Sequence, residues 1–257
     1  MVSNSKTNKA RLTLAALGVL VVGALIGGGV ATASLLGGDD DKPATARSTS
    51  SPTAPTRPTP SSSDALTGRT PEKARRLVLE RPTGQKNGLS IGFSKGPVGA
   101  ISTAVYFWEE FAFLDDQKAR QQLEAITSPD APSYVDQQVS QVRKLREQVG
   151  LPPSGGTPAG ITFTTTVNAV RPASLDQTGT VVQVWINYDR YATKSDGGVD
   201  DNPFKDQDTS LILKWQDGAW KITNEGKYQK LGTYPASYFP DSNVSYRAGW
   251  RQVQHAG

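Results

Sequence analysis

Residues 179–193 read GTVVQVWINYDRYAT, and this stretch decides the fold class. Side chains of a β-strand alternate between two faces. One face of this stretch is rich in apolar groups: Val182, Val184, Ile186 and Tyr188. The opposite face also carries large side chains, among them Val181 and Trp185. A strand with apolar groups on both faces is typically covered on both sides, so the stretch predicts a long, central β-strand.

Strand patterns flank this stretch on both sides. Upstream, residues 160–171 (GITFTTTVNAVR) alternate in β-prone residues, and downstream, residues 209–216 (TSLILKWQ) follow a polar loop. The dipeptide Asp217-Gly218 predicts a tight hairpin, because these residues tolerate the positive φ angles that such a turn needs. Residues 219–228 (AWKITNEGKY) then form the returning strand. The pattern predicts four antiparallel strands in chain order.

Helical spacing dominates the chain before these strands. A first, largely apolar helix is predicted to begin at Pro97 and to continue through GAISTAVYFWEEFAFL (99–114). An aspartate cap and Lys118–Ile126 predict a second helix, and 133–149 predict a third. The fold class is therefore α+β, with three N-terminal helices packed on a curved antiparallel four-stranded sheet. An aromatic but irregular tail follows from about Lys230 and is expected to lie across the domain.

The chain before the helices has the composition of a linker. Residues 38–90 are rich in Pro, Ser and Thr, and such a segment buries too little apolar surface to fold, which predicts a disordered linker. A short basic segment, 71–82, interrupts it and carries Arg75, Arg76 and Arg81. Two interpretations stay open for this segment. It is either a basic docking element for a partner or anionic surface, or an N-terminal arm that packs on the domain that follows.

An uncharged apolar run precedes the linker. Residues 12–37 are long enough for a transmembrane helix, since about 25 helical residues span roughly 38 Å and a hydrocarbon core is about 30 Å thick. The tail, 1–11, carries three basic residues, and Asp39–Asp41 follow the run. The positive-inside rule then predicts a single-pass protein of the cell membrane, with a cytoplasmic N-terminus and the domain, 91–257, outside the cytoplasm.

Two further features of the apolar run have alternative interpretations. Gly23 and Gly27 form a GxxxG spacing, which suits close packing of two helices but also occurs in any run rich in small residues. A small-x-small site near Ala33 suits cleavage as a signal peptide, which would make the protein secreted. Because the run is longer than a usual signal core, a retained anchor is favoured.

Composition excludes several function classes. The chain has 257 residues, no cysteine and one histidine, His255, which argues against thiolate metal sites, cysteine nucleophiles and Ser-His-Asp catalysis. The net charge is +4, but residues 91–257 carry 16 basic and 18 acidic side chains. The positive excess thus lies in the tail and linker. Nucleic acid is not an expected partner, because phosphate binding needs clustered Lys and Arg.

Two motifs resemble a known family. The hairpin 213–222 (LKWQDGAWKI) resembles the terminal hairpin of the cone-shaped nuclear transport factor 2-like fold, and 92–100 (GFSKGPVGA) resembles a helix start of membrane-anchored proteins of Gram-positive conjugative elements. With the predicted anchor and linker, the chain is similar to inner-membrane assembly proteins of conjugation and type IV secretion machines. The resemblance implies a cystatin/NTF2-like cone on a single-pass anchor.

The resemblance also indicates where a cavity would lie. Enzymes of this fold use Asp, His or Tyr inside the cone, and the matching candidates here are Tyr106, Tyr188, Asp189 and Tyr191. A carboxylic acid in an apolar pocket can act as a general base, but Asp189 next to Arg190 also suits a solvated strand end. The more economical interpretation of Asp189 is a surface carboxylate, so no catalytic residue is expected.

Two other groups of residues are candidate binding sites. The acidic loop offers oxygen ligands for calcium, but its spacing does not match an EF-hand, so no metal or cofactor is expected. Its carboxylates are Asp196, Asp200, Asp201, Asp206 and Asp208. Trp215 and Trp220 flank the hairpin turn and suit either a platform for carbohydrate or peptide, or packing across the hairpin.

These features together predict a non-catalytic, membrane-anchored scaffold or assembly protein of a conjugative transfer or type IV secretion-like machine. It would act through protein–protein contacts of its extracytoplasmic domain. The expected partners are other membrane or secretion-complex proteins and further copies of the same chain. The alternative is an extracytoplasmic binding module that holds a small apolar ligand or cell-wall component in the cone.

Overall fold

The computed structural model describes residues 69–194, 200 and 203–257. The predicted tail and anchor, the Gly23/Gly27 motif and the linker up to residue 68 lie outside the described residues. Within the described residues, no helix combines the length and apolar character needed to cross a membrane.

Eight strands and five helices are found in the described part of the chain. The strands are β1 (Leu77–Val78), β2 (Gly84–Lys86), β3 (Leu89–Ile91), β4 (Ile161–Ser174), β5 (Val181–Lys194), β6 (Phe204–Gln216), β7 (Ala219–Ile222) and β8 (Arg251–Gln254). The helices are α1 (Pro97–Glu110), α2 (Asp116–Ile126), α3 (Tyr134–Gln148), α4 (Gly226–Gln229) and α5 (Asn243–Arg247).

Local signals place the first three helices where the sequence predicts them. Pro97 occupies the first turn of α1, where its missing N–H costs nothing. The Asp115 carboxylate caps α2 by accepting a hydrogen bond from the Lys118 N–H at 2.9 Å. Gly150 follows α3 with a φ of 76°, a left-handed conformation that stops a helix at little cost in glycine. The three helices lie where they were predicted, but α1 ends at Glu110, four residues before the predicted end of the first helix at Leu114.

The main sheet has six strands in the order β1-β8-β4-β5-β6-β7. Strands β4 to β7 form the predicted antiparallel series, β8 adds antiparallel to β4, and β1 adds parallel to β8. A separate hairpin is formed by β2 and β3. Bulges between Val167 and Ala169 and between Tyr188 and Arg190 bend the long strands, and the sheet curls into a half-barrel.

The predicted fold class is therefore wrong. A cystatin/NTF2-like cone of three helices on a four-stranded antiparallel sheet was expected, whereas the structure has a six-stranded half-barrel with one parallel strand pair and five helices. The extra strands β1 and β8 have two and four residues. Runs this short show no recognisable alternation, and β1 and β8 lie at opposite ends of the domain sequence. Neither was visible as a strand in the local pattern.

The domain also begins earlier than predicted. The linker was expected to continue to residue 90, but Leu79 and Leu89 are fully buried and β1 belongs to the main sheet. The Leu79 N–H donates to the Gln254 carbonyl at 2.9 Å, next to the β1–β8 pair. Of the two interpretations of the basic segment, this geometry matches the packed N-terminal arm.

Side chains are buried on both faces of the central strand β5, as predicted. The helix-facing residues Val184 and Ile186 are fully buried and belong to the main core with Trp108. The opposite face is covered by the C-terminal tail, where Tyr238 and Trp250 form a second core cluster. The tail thus lies across the outer face of the sheet.

Candidate interaction surface

Two of the four residues predicted to line a cavity pack against other aromatic groups. Tyr106 lies on α1 and contacts the rings of Phe93 and His255, with ring centroids 5.3 and 4.9 Å apart. Tyr188 is buried and its ring lies 5.2 Å from that of Trp108. Aromatic packing thus accounts for the positions of both tyrosines.

Asp189 serves a structural role at the bulge of β5. Its carboxylate accepts hydrogen bonds from the Tyr191 hydroxyl at 3.1 Å and from the Asp206 N–H at 2.8 Å. It is only half-buried. Base catalysis would need an isolated carboxylic acid in an apolar pocket. Asp189 is instead a half-buried carboxylate that accepts two hydrogen bonds.

The two tryptophans of the hairpin pack against each other. Trp215 and Trp220 are directly opposite in the β6–β7 register, and their ring centroids are 5.4 Å apart. Trp220 is buried, and its indole N–H donates to the Ser94 carbonyl at 2.9 Å. Cross-strand packing explains both side chains, so this pair is not an open platform.

The acidic loop is only partly described. Asp196 and Asp201 lie outside the described residues. The Asp200 carboxylate accepts from the Ala192 N–H at 2.8 Å, and Asp208 accepts from the Asn187 amide at 2.9 Å. Among the described residues, no group of three His, Cys, Asp or Glu side chains is placed to hold a metal ion.

The single histidine pairs with a half-buried carboxylate. The His255 Nε2 lies 3.0 Å from a Glu109 carboxylate oxygen, and Glu109 also accepts from the Val167 N–H at 3.0 Å. Burial raises the pKa of Glu109, and the hydrogen bond from Val167 and the nearby His255 oppose that rise. The pair links the last residues of the chain to α1.

A buried arginine is the most unusual group in the core. The Arg190 guanidinium lies 3.7 Å from the ring centroid of Phe113 and within 6 Å of the rings of Trp108 and Tyr188. Its Nε donates to the Thr165 hydroxyl at 2.9 Å, and no carboxylate of the described residues pairs with it. Burial lowers the pKa of Arg190 to about 10, so it remains charged at neutral pH.

Two buried donors beside these rings have no acceptor among the described residues. They are Arg190 Nη2 and the indole N–H of Trp108. Arg190 is not among the predicted site residues, although the sequence contains a signal for it. Residues 182, 184, 186 and 188 share the apolar face of β5, and position 190 continues that series with a charged residue.

We expect Arg190→Met to leave the free energy of unfolding unchanged or to raise it by up to about 2 kcal/mol. Methionine keeps the length of the side chain, packs against the aromatic rings and removes a buried charge without a counter-ion. Arg190→Lys should lower the free energy by about 2 kcal/mol, because a compact ammonium cannot both cover Phe113 and reach Thr165. Urea unfolding measures both. A loss above about 1 kcal/mol in Arg190→Met would contradict the argument.

Exposed apolar side chains are concentrated in the C-terminal tail. Six large apolar residues of the described chain are exposed, and four of them lie between residues 231 and 244: Leu231, Tyr234, Phe239 and Val244. Single exposed apolar residues are ordinary, but a concentration in one segment indicates an interaction surface. The tail was predicted only as an aromatic covering of the domain.

The first half of this surface, Leu231 and Tyr234, rests on a rigid support. Thr233 is held by three hydrogen bonds: its N–H donates to the Gln183 side chain at 2.9 Å, its carbonyl accepts from the Trp185 indole at 2.7 Å, and its hydroxyl accepts from Arg171 at 2.7 Å. Tyr234 also lies against Trp185, with ring centroids 5.5 Å apart. Tyr234 is nevertheless 82% exposed.

The second half of the surface lies where the N-terminal arm meets α5. The Arg69 guanidinium donates to the Tyr246 hydroxyl at 3.4 Å, and Arg251 lies 3.9 Å from the centroid of the same ring. The hydrogen bond from Arg69 lowers the pKa of Tyr246. Arg75 and Arg76, two of the predicted docking residues, are exposed just before β1, and Arg81 is exposed after it.

Comparisons with family models, with curated proteins and with solved structures give no match for this chain.

Proposed function

We propose that this protein is a non-catalytic, membrane-anchored scaffold that acts through protein contacts of a domain held outside the cytoplasm. The predicted span at 12–37 supports the anchor. The likeness of 92–100 to a helix start of membrane-anchored proteins of conjugative elements supports a place in a transfer or secretion machine. Its partners would be other membrane proteins of that machine.

The observation that carries the proposal is Tyr234. An aromatic side chain that is 82% exposed rests on a backbone fixed by the hydrogen bonds of Thr233. Tyrosine is enriched at interface hot spots because it offers a large contact area with few rotatable bonds. Since the underlying backbone is already ordered, a partner would meet little entropic cost in fixing it. Leu231, 54% exposed, extends the apolar area.

The contacts around Asp189 support a non-catalytic function. Its carboxylate accepts hydrogen bonds from the Tyr191 hydroxyl and the Asp206 N–H. A carboxylate that already accepts two hydrogen bonds is poorly suited to act as a general base.

Photo-crosslinking in intact cells tests the proposal. A photoreactive amino acid replaces Tyr234 in the full-length chain, and a control chain carries it at Gln177, which is exposed on the turn between β4 and β5. We expect crosslinked membrane proteins from position 234 and none from position 177. Equal crosslinking at both positions, or none at position 234, would contradict the proposed contact surface.

The variant Tyr234→Ala should weaken the recovery of these partners without unfolding the domain. Loss of a hot-spot side chain costs about 2 kcal/mol of binding free energy, or about thirtyfold in affinity. The matched control Tyr234→Phe keeps the ring and should retain most of the partner. Affinity purification of the full-length protein with each variant measures the difference, and equal recovery from Tyr234→Ala would rule out Tyr234 as the anchor residue.

The environment of Arg190 favours the alternative function, a module that holds a small apolar ligand. A ligand with an anionic group could satisfy the unpartnered Nη2 of Arg190 while its apolar part lies against Phe113 and Trp108. Native mass spectrometry of the protein purified from its own host tests this. A bound mass that is absent from Arg190→Met would favour the module, and an unliganded wild-type protein would argue against it.

A further inference from the structure

We infer that the second half of the exposed surface docks on a bilayer that carries anionic lipid headgroups. This surface, here called the arm–α5 face, consists of Arg69 and Arg75 of the arm together with Phe239, Val244 and Arg247 of the tail. The inference rests on the membrane-anchored part of the proposed function, and it assigns to these residues a role separate from the protein contacts of Tyr234.

The N-terminal arm lies against α5. The Asn243 side chain donates to the Arg69 carbonyl at 2.9 Å. Close by, the Glu72 N–H donates to the Pro240 carbonyl at 3.0 Å. The predicted anchor therefore connects to the domain at the arm–α5 face.

The chain between the predicted span and the arm is short. It consists of residues 38–68, rich in Pro, Ser and Thr. About 31 residues reach at most roughly 110 Å when fully extended. This length limits how far the arm–α5 face can move from the bilayer and gives it an effective concentration there.

Two large apolar side chains are exposed on this face. Phe239 is 59% exposed and Val244 is 62% exposed. Val244 and Arg247 are three residues apart on α5, so they lie on the same side of the helix. Apolar side chains surrounded by arginine and tyrosine are typical of segments that rest in the interface of a membrane.

The arm–α5 face has an excess of positive charge. Residues 69–76 carry four basic side chains and one acidic side chain, and residues 239–251 carry two basic side chains and one acidic side chain. The acidic members are Glu72 and Asp241, both exposed. The parallel register that pairs Leu77 with Val253 brings Arg75 to the same end of the strands as Arg251. The excess of positive charge is complementary to anionic headgroups.

The experiment uses the full-length chain in lipid nanodiscs, which leave both bilayer faces accessible. The chain has no cysteine, so Val244→Cys gives a single attachment point for a polarity-sensitive fluorophore. Gln177→Cys provides the control position. One set of nanodiscs contains phosphatidylcholine alone, and the other contains phosphatidylcholine with phosphatidylglycerol.

We expect a blue shift of the label at position 244 in the anionic nanodiscs and not in the neutral ones, with no shift at position 177. The shift should disappear in about 1 M salt, where the screening length falls to roughly 3 Å. Arg69→Gln with Arg247→Gln should reduce docking about 25-fold, since each arginine near an anionic surface contributes about fivefold. Lys205→Gln, a matched loss of charge on β6, should leave docking unchanged.

The outcomes separate docking from the anchor. A chain that nanodiscs retain but whose label at 244 reports the same environment in both lipids overturns the inference and leaves the anchor standing. If nanodiscs do not retain the chain, the anchor is wrong, and labelled chain added to empty anionic nanodiscs still decides docking by the same shift. A shift that follows protein concentration and not lipid charge would identify a second copy as the occupant and overturn the inference.

Discussion

A chain that begins at residue 92 should fail to fold, whereas a chain that begins at residue 69 should unfold in one cooperative transition. The sequence composition places residues 38–90 in a linker, so the two chains were expected to be equally stable. The structure instead makes residues 70–91 part of the domain, because they supply β1 to the main sheet and two fully buried leucines, Leu79 and Leu89.

The size of the effect follows from what the shorter chain lacks. Removal of a buried leucine side chain typically costs 2–5 kcal/mol, about the range seen for Leu→Ala. The two leucines together represent roughly 4–10 kcal/mol, and a domain of this kind has a total stability of about 5–15 kcal/mol. Polar contacts are lost as well. The Glu110 carboxylate accepts from both the N–H and the hydroxyl of Ser90 at 2.6 Å, and Glu80 accepts from the Ser94 N–H at 2.8 Å.

Urea unfolding followed by tryptophan fluorescence measures this difference. Two point variants in the chain that begins at residue 69 separate packing from chain length. Leu79→Ala should lower the free energy of unfolding by about 2–5 kcal/mol. Val78→Ala, in the same strand but 42% exposed, should change it by less than about 0.5 kcal/mol. A stable, cooperative chain beginning at residue 92 would show that the arm is dispensable.

The parts of the fold that could be predicted are those with strong local signals. The long strand β5 shows alternation over its whole length, and Asp217 and Gly218 adopt the positive φ angles, 51° and 76°, that their hairpin turn requires. The starts of α1 and α2 have Pro97 and the Asp115 cap. In each case the information lies within a few residues of the element that it determines.

The parts that were missed depend on contacts between distant segments. Strand β1 has two residues, Leu77 and Val78, and it forms because β8 offers a free edge from the other end of the domain. A composition rich in Pro and polar residues cannot reveal this pairing. The same reason explains the error in fold class, since β1 and β8 convert a four-stranded sheet into a six-stranded one.

The candidate surface shows a similar limit. Tyr234 and Tyr238 lie in the same irregular stretch, yet the first is 82% exposed and the second 6%. The difference arises because hydrogen bonds fix Thr233 on the side chains of Gln183 and Trp185, while Tyr238 packs against Trp250. A sequence without regular periodicity gives no indication of which aromatic side chain faces solvent.

Arg146→Met should lower the free energy of unfolding by about 3 kcal/mol, although Arg146 forms no ion pair within the described part of the chain. Arg146 is 3% exposed and lies on α3. Its guanidinium donates to three carbonyls, those of Leu114, Pro152 at 2.8 Å and Gly156 at 2.8 Å. It thereby fastens the α1–α2 connection and the loop after α3 to one helix.

The loop encloses this guanidinium closely. A Cβ atom placed on Gly155 would lie 2.7 Å from Arg146 Nη2, so a side chain there would displace the guanidinium. The neighbouring carboxylate of Asp116 is fully buried and accepts from the Gly155 N–H at 2.8 Å and from Arg143 at 2.9 Å. Burial opposes ionisation of Asp116, but these hydrogen bonds outweigh it and lower its pKa. The loop is thus held by a cation on one side and a carboxylate on the other.

Methionine in place of Arg146 would fill a similar volume but leave the buried Leu114 carbonyl without a donor. An unsatisfied buried acceptor costs about 1–3 kcal/mol, and the charge-assisted hydrogen bonds are lost in addition. The stability of Arg146→Lys should lie between that of the wild type and that of Arg146→Met. An ammonium keeps the charge but cannot reach three carbonyls with the geometry of a planar guanidinium. Lys144→Met on the exposed side of α3 is the matched control and should stay within about 0.5 kcal/mol of the wild type. If urea unfolding gives Arg146→Met and Lys144→Met the same stability, the loop after α3 does not depend on Arg146, because water or a rearranged backbone then satisfies the three carbonyls equally well.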